Sequence, residues 1–471
     1  DQASTLPRDN RTAFFPKASA VWNVTNFLGN TNNVGTLSYL KLRGSWGQVG
    51  RQPFAYQNQT LLSASQSAFA YGTGATNTSQ SGTPGLVTSF TQGNPNLKFE
   101  RTTDWEAGFD AAFLNSRVDV AVTYYDRNTR DVILPTPVAP STGFGQSNGN
   151  LARITNKGWE VSLNSRLVDL PGTRWELGLN WTRNRNKVLT LGGAEFQPLT
   201  GGFGVSAAVP GQPIGTFYGS DFVRCRLNVP DANNVQTING VSVDINAACR
   251  TAGAADGAMY IAADGFPRLD AANYVIGDPN RNYLLGIRNT VTLFKKLQIS
   301  ALLDIVNGGV NWNGTRGALQ SYGTSGFTAD RGANKTFGVD IVPGATFGPG
   351  AGRAVAVGEG WYRSPAATVN PGPGLGNNFN GPTSQFVEPS GFARLRDVSV
   401  AYSFDGAFVR DRLGLSSVDV RLSGRNLWLR TKYTGIDPET NLSGPIGPGR
   451  GQDYFNNPQT RSFLLGVTIN R

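Results

Sequence analysis

The sequence predicts an all-β chain: a transmembrane antiparallel β-barrel with long extracellular loops, of which these 471 residues supply about eleven or twelve strands. Three observations predict it. Polar and apolar residues alternate singly along paired stretches of about ten residues, as the two faces of a strand do. The connections between those stretches alternate between very short and very long, where a β-sandwich would space them evenly. Tryptophans stand at both ends of an apolar stripe, the girdle arrangement of a membrane barrel.

Composition excludes several other classes. Mean hydropathy is −0.27, and no apolar run is long enough for a membrane helix. A barrel remains open, because alternation dilutes its apolar residues. The chain has no histidine and one methionine. That removes histidine-dependent triads, metal sites and proton shuttles, and its serines have no base, so no enzyme and no cofactor are expected. Net charge is +10, mostly from arginines scattered through strands and loops. Nucleic acid would need them clustered with aromatics; anionic lipid head groups and lumen charge pairs are the expected partners. Cys225 and Cys249 lie in a polar stretch without further zinc ligands, and a loop disulfide is favoured over free thiols. It suits an extracytoplasmic compartment. The chain starts at Asp1 with no Met or signal peptide, as a processed chain or one lacking an N-terminal part would.

Residues 14–26 alternate loosely and read as a first strand, and residues 37–48 as a second, with Asn- and Gly-rich turn chemistry at Gly29–Gly35 between them. Residues 51–97 read as a long polar loop. Then comes the clearest stretch, Thr103 to Tyr125. Trp105, Ala107, Phe109, Ala111 and Phe113 alternate with Asp104, Glu106, Gly108, Asp110 and Ala112. After Asn115-Ser116, Val118, Val120, Val122 and Tyr124 alternate with Asp119, Ala121 and Thr123. A turn there pairs Phe113 with Val118, Phe109 with Val122 and Ala112 with Asp119, so turn and register agree.

Residues 131–150 read as another long loop. Trp159, Val161 and Leu163 then alternate with Glu160, Ser162, Asn164 and Arg166. A turn at 169–172 leads to Trp175, Leu177, Leu179 and Trp181 against Glu176, Gly178, Asn180 and Thr182. Residues 192–278 read as irregular. A third hairpin spans 282–293 and 297–307, and 308–390 is again long and Gly/Pro/Asn-rich. Strands follow at 392–404 and from Val418, then a loop at 434–458 and a last strand ending at Asn470. With 192–278 outside the membrane the strands number about eleven. First and last then run the same way, and neighbours in an antiparallel barrel must oppose, so the set belongs to a larger barrel.

Several stretches resemble the C-terminal barrel of SusC/RagA-type TonB-linked (TonB-dependent) outer-membrane transporters: LSYLKLRGSWGQVG (37–50), GNPNLKFERTTDWEAGFD (93–110), NKGWEVSLNSRL (156–167), GFARLRDVSVAYSF (391–404), SSVDVRLSGRNLWLRTKYTGIDPETN (416–441) and RSFLLGVTIN (461–470). They keep their order along nearly the whole chain. The resemblance implies a 22-stranded barrel in the bacterial outer membrane, filled by an N-terminal plug. It implies import of oligosaccharides, peptides or similar bulky solutes, energy from the TonB complex, and a SusD-like surface lipoprotein as lid. Lipid and lipopolysaccharide would surround the barrel. The plug, the TonB box and the N-terminal domain of that family are not among these residues, so 1–471 reads as the C-terminal barrel part. Where the family ends in an aromatic residue, this chain has Arg471. The other reading is a structural or surface-assembly barrel that does not import.

Alternation predicts that Trp105, Phe109, Phe113, Val120, Trp159, Leu177, Trp181, Phe463 and Val467 face lipid. It turns Glu106, Asp110, Asp119, Glu160, Asn180, Asp419 and Arg421 toward the lumen, where they bind plug or solute or simply pair across strands. The loop aromatics Tyr322, Trp361, Tyr362 and Tyr454 are candidates for stacking on sugar, against packing within the loops. FGPGAGR (347–353) lacks the Lys-Ser/Thr of a phosphate loop. Asp437-Pro438-Glu439 reads as a calcium ligand pair or as a turn, with the turn favoured and no metal site expected.

Overall fold

Eleven long strands follow one another in chain order through a single antiparallel sheet, with the short segment Thr91–Gln92 off its path as a twelfth. They are β1 (Lys17–Asn23), β2 (Leu37–Arg51), β3 (Glu100–Phe113), β4 (Val118–Pro137), β5 (Gln146–Leu170), β6 (Thr173–Leu191), β7 (Tyr283–Leu293), β8 (Leu297–Asn307), β9 (Phe392–Phe404), β10 (Ser417–Thr431) and β11 (Ser462–Asn470). This computed structural model describes residues 1–27, 36–63, 79–80, 83–84, 86–199, 203, 205–228, 234–238, 240–363, 372–442 and 450–471. The turn expected at Gly29–Gly35 lies outside the described residues. Among them no pairing joins β1 to β11. An odd number of antiparallel strands leaves both edges running the same way, which forbids their antiparallel pairing.

Register carries the facing of one strand to the next, since directly opposed residues share a face. One row runs Leu40, Ala111, Val120, Leu163, Leu179, Ile287, Leu303, Leu395, Trp428. Phe463 joins through Gly424 and Val467 through Val420 on the same face. Every apolar residue named for the lipid side falls on this one face. Trp105 is 60% exposed, Trp159 46% and Phe463 71%, so no core of this chain covers it. Aromatic residues edge it on both sides, with Trp46, Trp105, Tyr124, Trp159 and Trp181 toward the long connections and Phe113, Trp175 and Tyr402 toward the short ones.

The turns at 114–117, 171–172 and 294–296 lie at one end of the sheet. Leu114, Asn115 and Ser116 take φ of 54°, 56° and 58° in succession and reverse the chain so that Phe113 opposes Val118. Pro171-Gly172 is tighter, and Gly172 at φ 89° occupies a conformation only glycine enters freely. Two strand ends depart from expectation. β1 is shorter than 14–26, because Pro16 precedes it and a helical turn, Val24–Phe27, follows it. Residues 131–150 are mostly strand, with Gln146 opposite Pro137 and Asn148 opposite Pro135. β4 and β5 have 20 and 25 residues where a spanning strand needs about 9–11. Their tips pack against loop residues, with Ala152, Val132 and Leu134 in one cluster, Ile133 against another and Asn148 buried, so lipid no longer enforces alternation there.

The excursions 192–278 and 308–390 are folded rather than irregular. Strands of two to nine residues and short helices, the two longest being α1 (Ile245–Ala252) and α2 (Gly314–Tyr322), build them. Phe222, Met259, Ile261, Phe266, Phe337, Val357 and Trp361 form one buried cluster that draws on both. A second holds Cys225, Ile245, Cys249, Tyr260 and Phe347, and Cys225 is bonded to Cys249. Asp244 caps α1 by accepting from the Ala247 amide at 2.9 Å, and Gly253 ends it. Closing a loop of 24 residues constrains the unfolded chain by roughly 3 kcal/mol. Peptide mapping without reductant should recover 225 and 249 in one crosslinked species; two alkylatable thiols would contradict it.

Candidate functional site

The polar face opposite the tryptophans is a wall of paired charges. Asp110 holds Lys41 at 3.0 Å and Arg43 at 3.4 Å, and Arg43 donates to Thr123 at 2.7 Å. Arg127 pairs with Asp104 at 2.6 Å and reaches Glu106 at 4.0 Å. Arg421 donates to Ser399 at 3.0 Å, and Asp419 accepts from Asn470 at 2.8 Å. Asp119 lines a recess of about 320 Å³ near the short turns with Asn164, Arg166 and Glu176. Glu160 stands between Thr123 and Thr182 with no ion pair among the described residues. The seven residues named for this face, with Asn180 between Ser162 and Gly286, therefore share it, but they do not converge on one centre.

Toward the long connections, the chain buries charge. The Arg394 side chain is 3% exposed and donates to Asp437, equally buried, at 2.6 Å; its Nε lies 3.0 Å from Glu439. Arg396 joins Asp304 at 2.6 Å and grips Glu439 with both terminal nitrogens. Asp437 also accepts from the amides of Glu439 and Gln459, each at 3.0 Å. The calcium alternative for 437–439, the less favoured of its two readings, has no free carboxylates to draw on: they are neutralised by guanidinium groups. The RLR of 394–396 and the DPE of 437–439, which lie in two of the family-like stretches, are the two halves of one clasp. Arg281, just before β7, donates to Gly308 O at 3.2 Å and to Ser390 Oγ, and reaches Pro438 O at 3.4 Å. Burial lowers its guanidinium to about 10; the nearby Arg450 cation adds to that and Glu439 opposes it.

At the mouth, the inner face of β5 and β6 opens into a recess of about 370 Å³ lined by Asn156, Asn184, Asn186, Leu199, Ile214, Gly215, Pro279, Asn280 and Arg450. The first excursion folds over this face. Val188 on β6 is fully buried with Ala208, and Ile214 N donates to Asn186 at 2.6 Å. From Arg450 the chain runs past Gln452 and Asp453, both buried, to Tyr454 and Phe455. Tyr433 donates to Asp453 at 2.7 Å; burial raises the Asp453 carboxyl, while hydrogen bonds from Tyr433 and Thr315 pull it back. The Tyr454 ring lies 4.2 Å from Phe203 and 5.0 Å from Phe455, above the buried Trp312. Phe203 and Phe455 are about half exposed, so this is an open aromatic patch beside the amide recess.

The four loop aromatics do not converge. Tyr454 belongs to that patch. Tyr322 ends α2, 65% exposed, with Phe379 6.1 Å away. Trp361 and Tyr362 are corrected to loop core. Trp361 is 1% exposed, its ring against Phe337 at 4.8 Å and Phe266 at 6.0 Å, which leaves no face for a solute; Tyr362 is 7% exposed. The amide recess was not singled out from the sequence. Its signal is the run Asn184-Arg185-Asn186, where strand alternation continues past Trp181 and sends amides inward.

Three comparisons bear on this architecture. Residues 1–247 match the family model described as TonB dependent receptor-like, beta-barrel. The chain is 26% identical over 483 residues to TonB-dependent receptor P3 of Formosa agariphila, covering 100% of this chain and 43% of that protein. It is 24% identical over 486 residues to TonB-dependent receptor SusC of Bacteroides thetaiotaomicron, covering 100% and 41%. Its fold resembles the RagAB peptide importer in the closed-closed state with a TM-score of 0.66 at 19% identity, over 99% of this chain and 44% of that one. The chain spans less than half the length of the relatives it matches.

Proposed function

The chain belongs to the TonB-dependent receptor-like β-barrel family of the bacterial outer membrane, and from that premise we propose that it is the C-terminal barrel part of a SusC/RagA-like transporter that imports bulky solutes such as oligosaccharides or peptides. The observation that carries the reading is the two-faced sheet: an apolar band on one side of eleven strands, and on the other a wall of ion pairs roofed by folded loops. The apolar band meets lipid. The paired-charge wall faces a lumen that the rest of a longer receptor, its remaining strands and plug, would complete. Energy would come from the TonB complex through that N-terminal part, and a SusD-like lipoprotein would cover the loops. Solute would enter at the mouth, where amides offer both donors and acceptors and the Phe203, Tyr454, Phe455 patch offers ring faces.

The test is uptake by the full-length receptor in its own outer membrane. Cells carrying it should take up at least one of a panel of labelled oligosaccharides and peptides, and a strain without TonB should not. Tyr454→Ala should weaken capture about three- to tenfold at unchanged receptor level, the worth of one aromatic contact. A gene encoding neither plug nor TonB box, with uptake of every solute unaffected by deletion, would favour the scaffolding role instead.

A further inference from the structure

Alternation on β6 does not stop at the aromatic girdle. Past Trp181 the strand reads Arg183, Asn184, Arg185, Asn186, Lys187. Register sets Arg183 opposite Trp159, Arg185 opposite Lys157 and Lys187 opposite Thr155. Since Trp159 and Trp181 lie on the apolar face, the four cations extend that face upward, while Asn184 and Asn186 turn to the mouth recess. Lys157 pairs with Asp126 at 2.8 Å, and Arg185 donates to Asn282 at 2.8 Å. Among the described residues the side chains of Arg183 and Lys187 have no hydrogen-bond or ion-pair partner. Like charges directly opposed repel, so Arg185 facing Lys157, flanked by two more cations against one acid, calls for an anion from outside.

We propose that this patch binds the phosphate groups of lipopolysaccharide in the outer leaflet. The inference rests on the apolar face meeting lipid. Tryptophans of a girdle sit at the head-group level. A strand rises about 3.3 Å per residue, so Arg183 lies one same-face step beyond Trp181 and Lys187 roughly 20 Å along the strand. That span is the zone of lipid phosphate and inner sugar. Strands β5 and β6 are long enough to carry cations there, and arginine matches phosphate with a forked pair of donors.

The test uses the full-length receptor purified in mild detergent, stripped of lipid and offered lipid A in two forms, phosphorylated and enzymatically dephosphorylated. Native mass spectrometry counts bound lipid, and heat-modifiable mobility reports folding. Phosphorylated lipid A should bind preferentially. The Arg183→Gln/Lys187→Gln variant should bind it roughly 10- to 30-fold more weakly, from about 1 kcal/mol per cation. Lys295→Gln, at the short-turn end, should match the parent. Equal binding of both lipid forms by the parent, or undiminished binding by a folded double variant, would overturn the proposal. Should the double variant not fold, the two-ligand comparison on the parent decides alone. Binding of neither form would overturn it together with the lipid-facing assignment, which the preference test keeps separate. Inorganic phosphate competing as well as lipid A would reduce the site to a free-anion site and also count against it.

Discussion

Arg394→Met is expected to prevent stable assembly of the barrel. The guanidinium is 3% exposed and its partner Asp437 equally so, and Glu439 leans on the same nitrogen fork. Removing one member of a buried pair strands the other charge, at about 3–5 kcal/mol. Methionine fills much of the volume, so the loss would come from charge rather than from a hole. The second change makes the cause legible. Asp437→Asn on the Arg394→Met background removes the orphan charge, and its single carbonyl keeps one of the two amide bonds, from Glu439 or from Gln459. It should recover part of the loss. Arg421→Met is the contrast: Arg421 is exposed and, among the described residues, donates to Ser399 alone, so about 1 kcal/mol or less is at stake. Urea titration of detergent-folded protein, read as heat-modifiable mobility, measures all three. An Arg394→Met barrel as resistant as the parent would show that the clasp is dispensable.

How far the sequence could be read depended on what each residue touches. Within the membrane span every residue meets either lipid or the polar wall, and period-two alternation records that choice. The hairpin at Asn115-Ser116, its register and the facing of its valines were therefore legible. Strand parity was legible for the same reason. Above the span both faces of a strand meet water or loop, and alternation carries no penalty for lapses. So residues 131–150 read as loop though most of them are β-ladder. The excursions were opaque for another reason. Their strands of two to nine residues are too short to show a period, and their core joins Phe222, Phe337 and Trp361 from segments more than a hundred positions apart. Trp361 could therefore be read only as a loop aromatic, a candidate for stacking on sugar or for packing within the loops. The clasp was half visible: its two halves stood out as family-like stretches, but only the fold brings Arg394 to Asp437.

Val120→Arg should cost far more than Ala121→Arg, one position along. Val120 is the third residue of β4, on the apolar face one same-face step above the Phe113–Val118 pair, between Ala111 and Leu163. An arginine on that band costs up to about 2–4 kcal/mol, the full amount at the midplane. Ala121 stands on the polar face between Asp110 and Ser162. A guanidinium placed there meets Asp110 directly, although Lys41 and Arg43 already hold that carboxylate. The net change should therefore stay within about 1 kcal/mol. The contrast alone does not separate lipid from a close-packed protein core, which would reject Arg at 120 as well. Val120→Phe does separate them. Lipid accommodates the larger ring with little penalty, whereas a packed core loses about 1–3 kcal/mol to overpacking. Heat-modifiable mobility after refolding into detergent or lipid reports each variant. Assembly of Val120→Phe and Ala121→Arg alongside failure of Val120→Arg is the expected result. Failure of Val120→Phe where Ala121→Arg assembles would mean that Val120 packs against protein, and the assignment of the apolar band to lipid would fall with it.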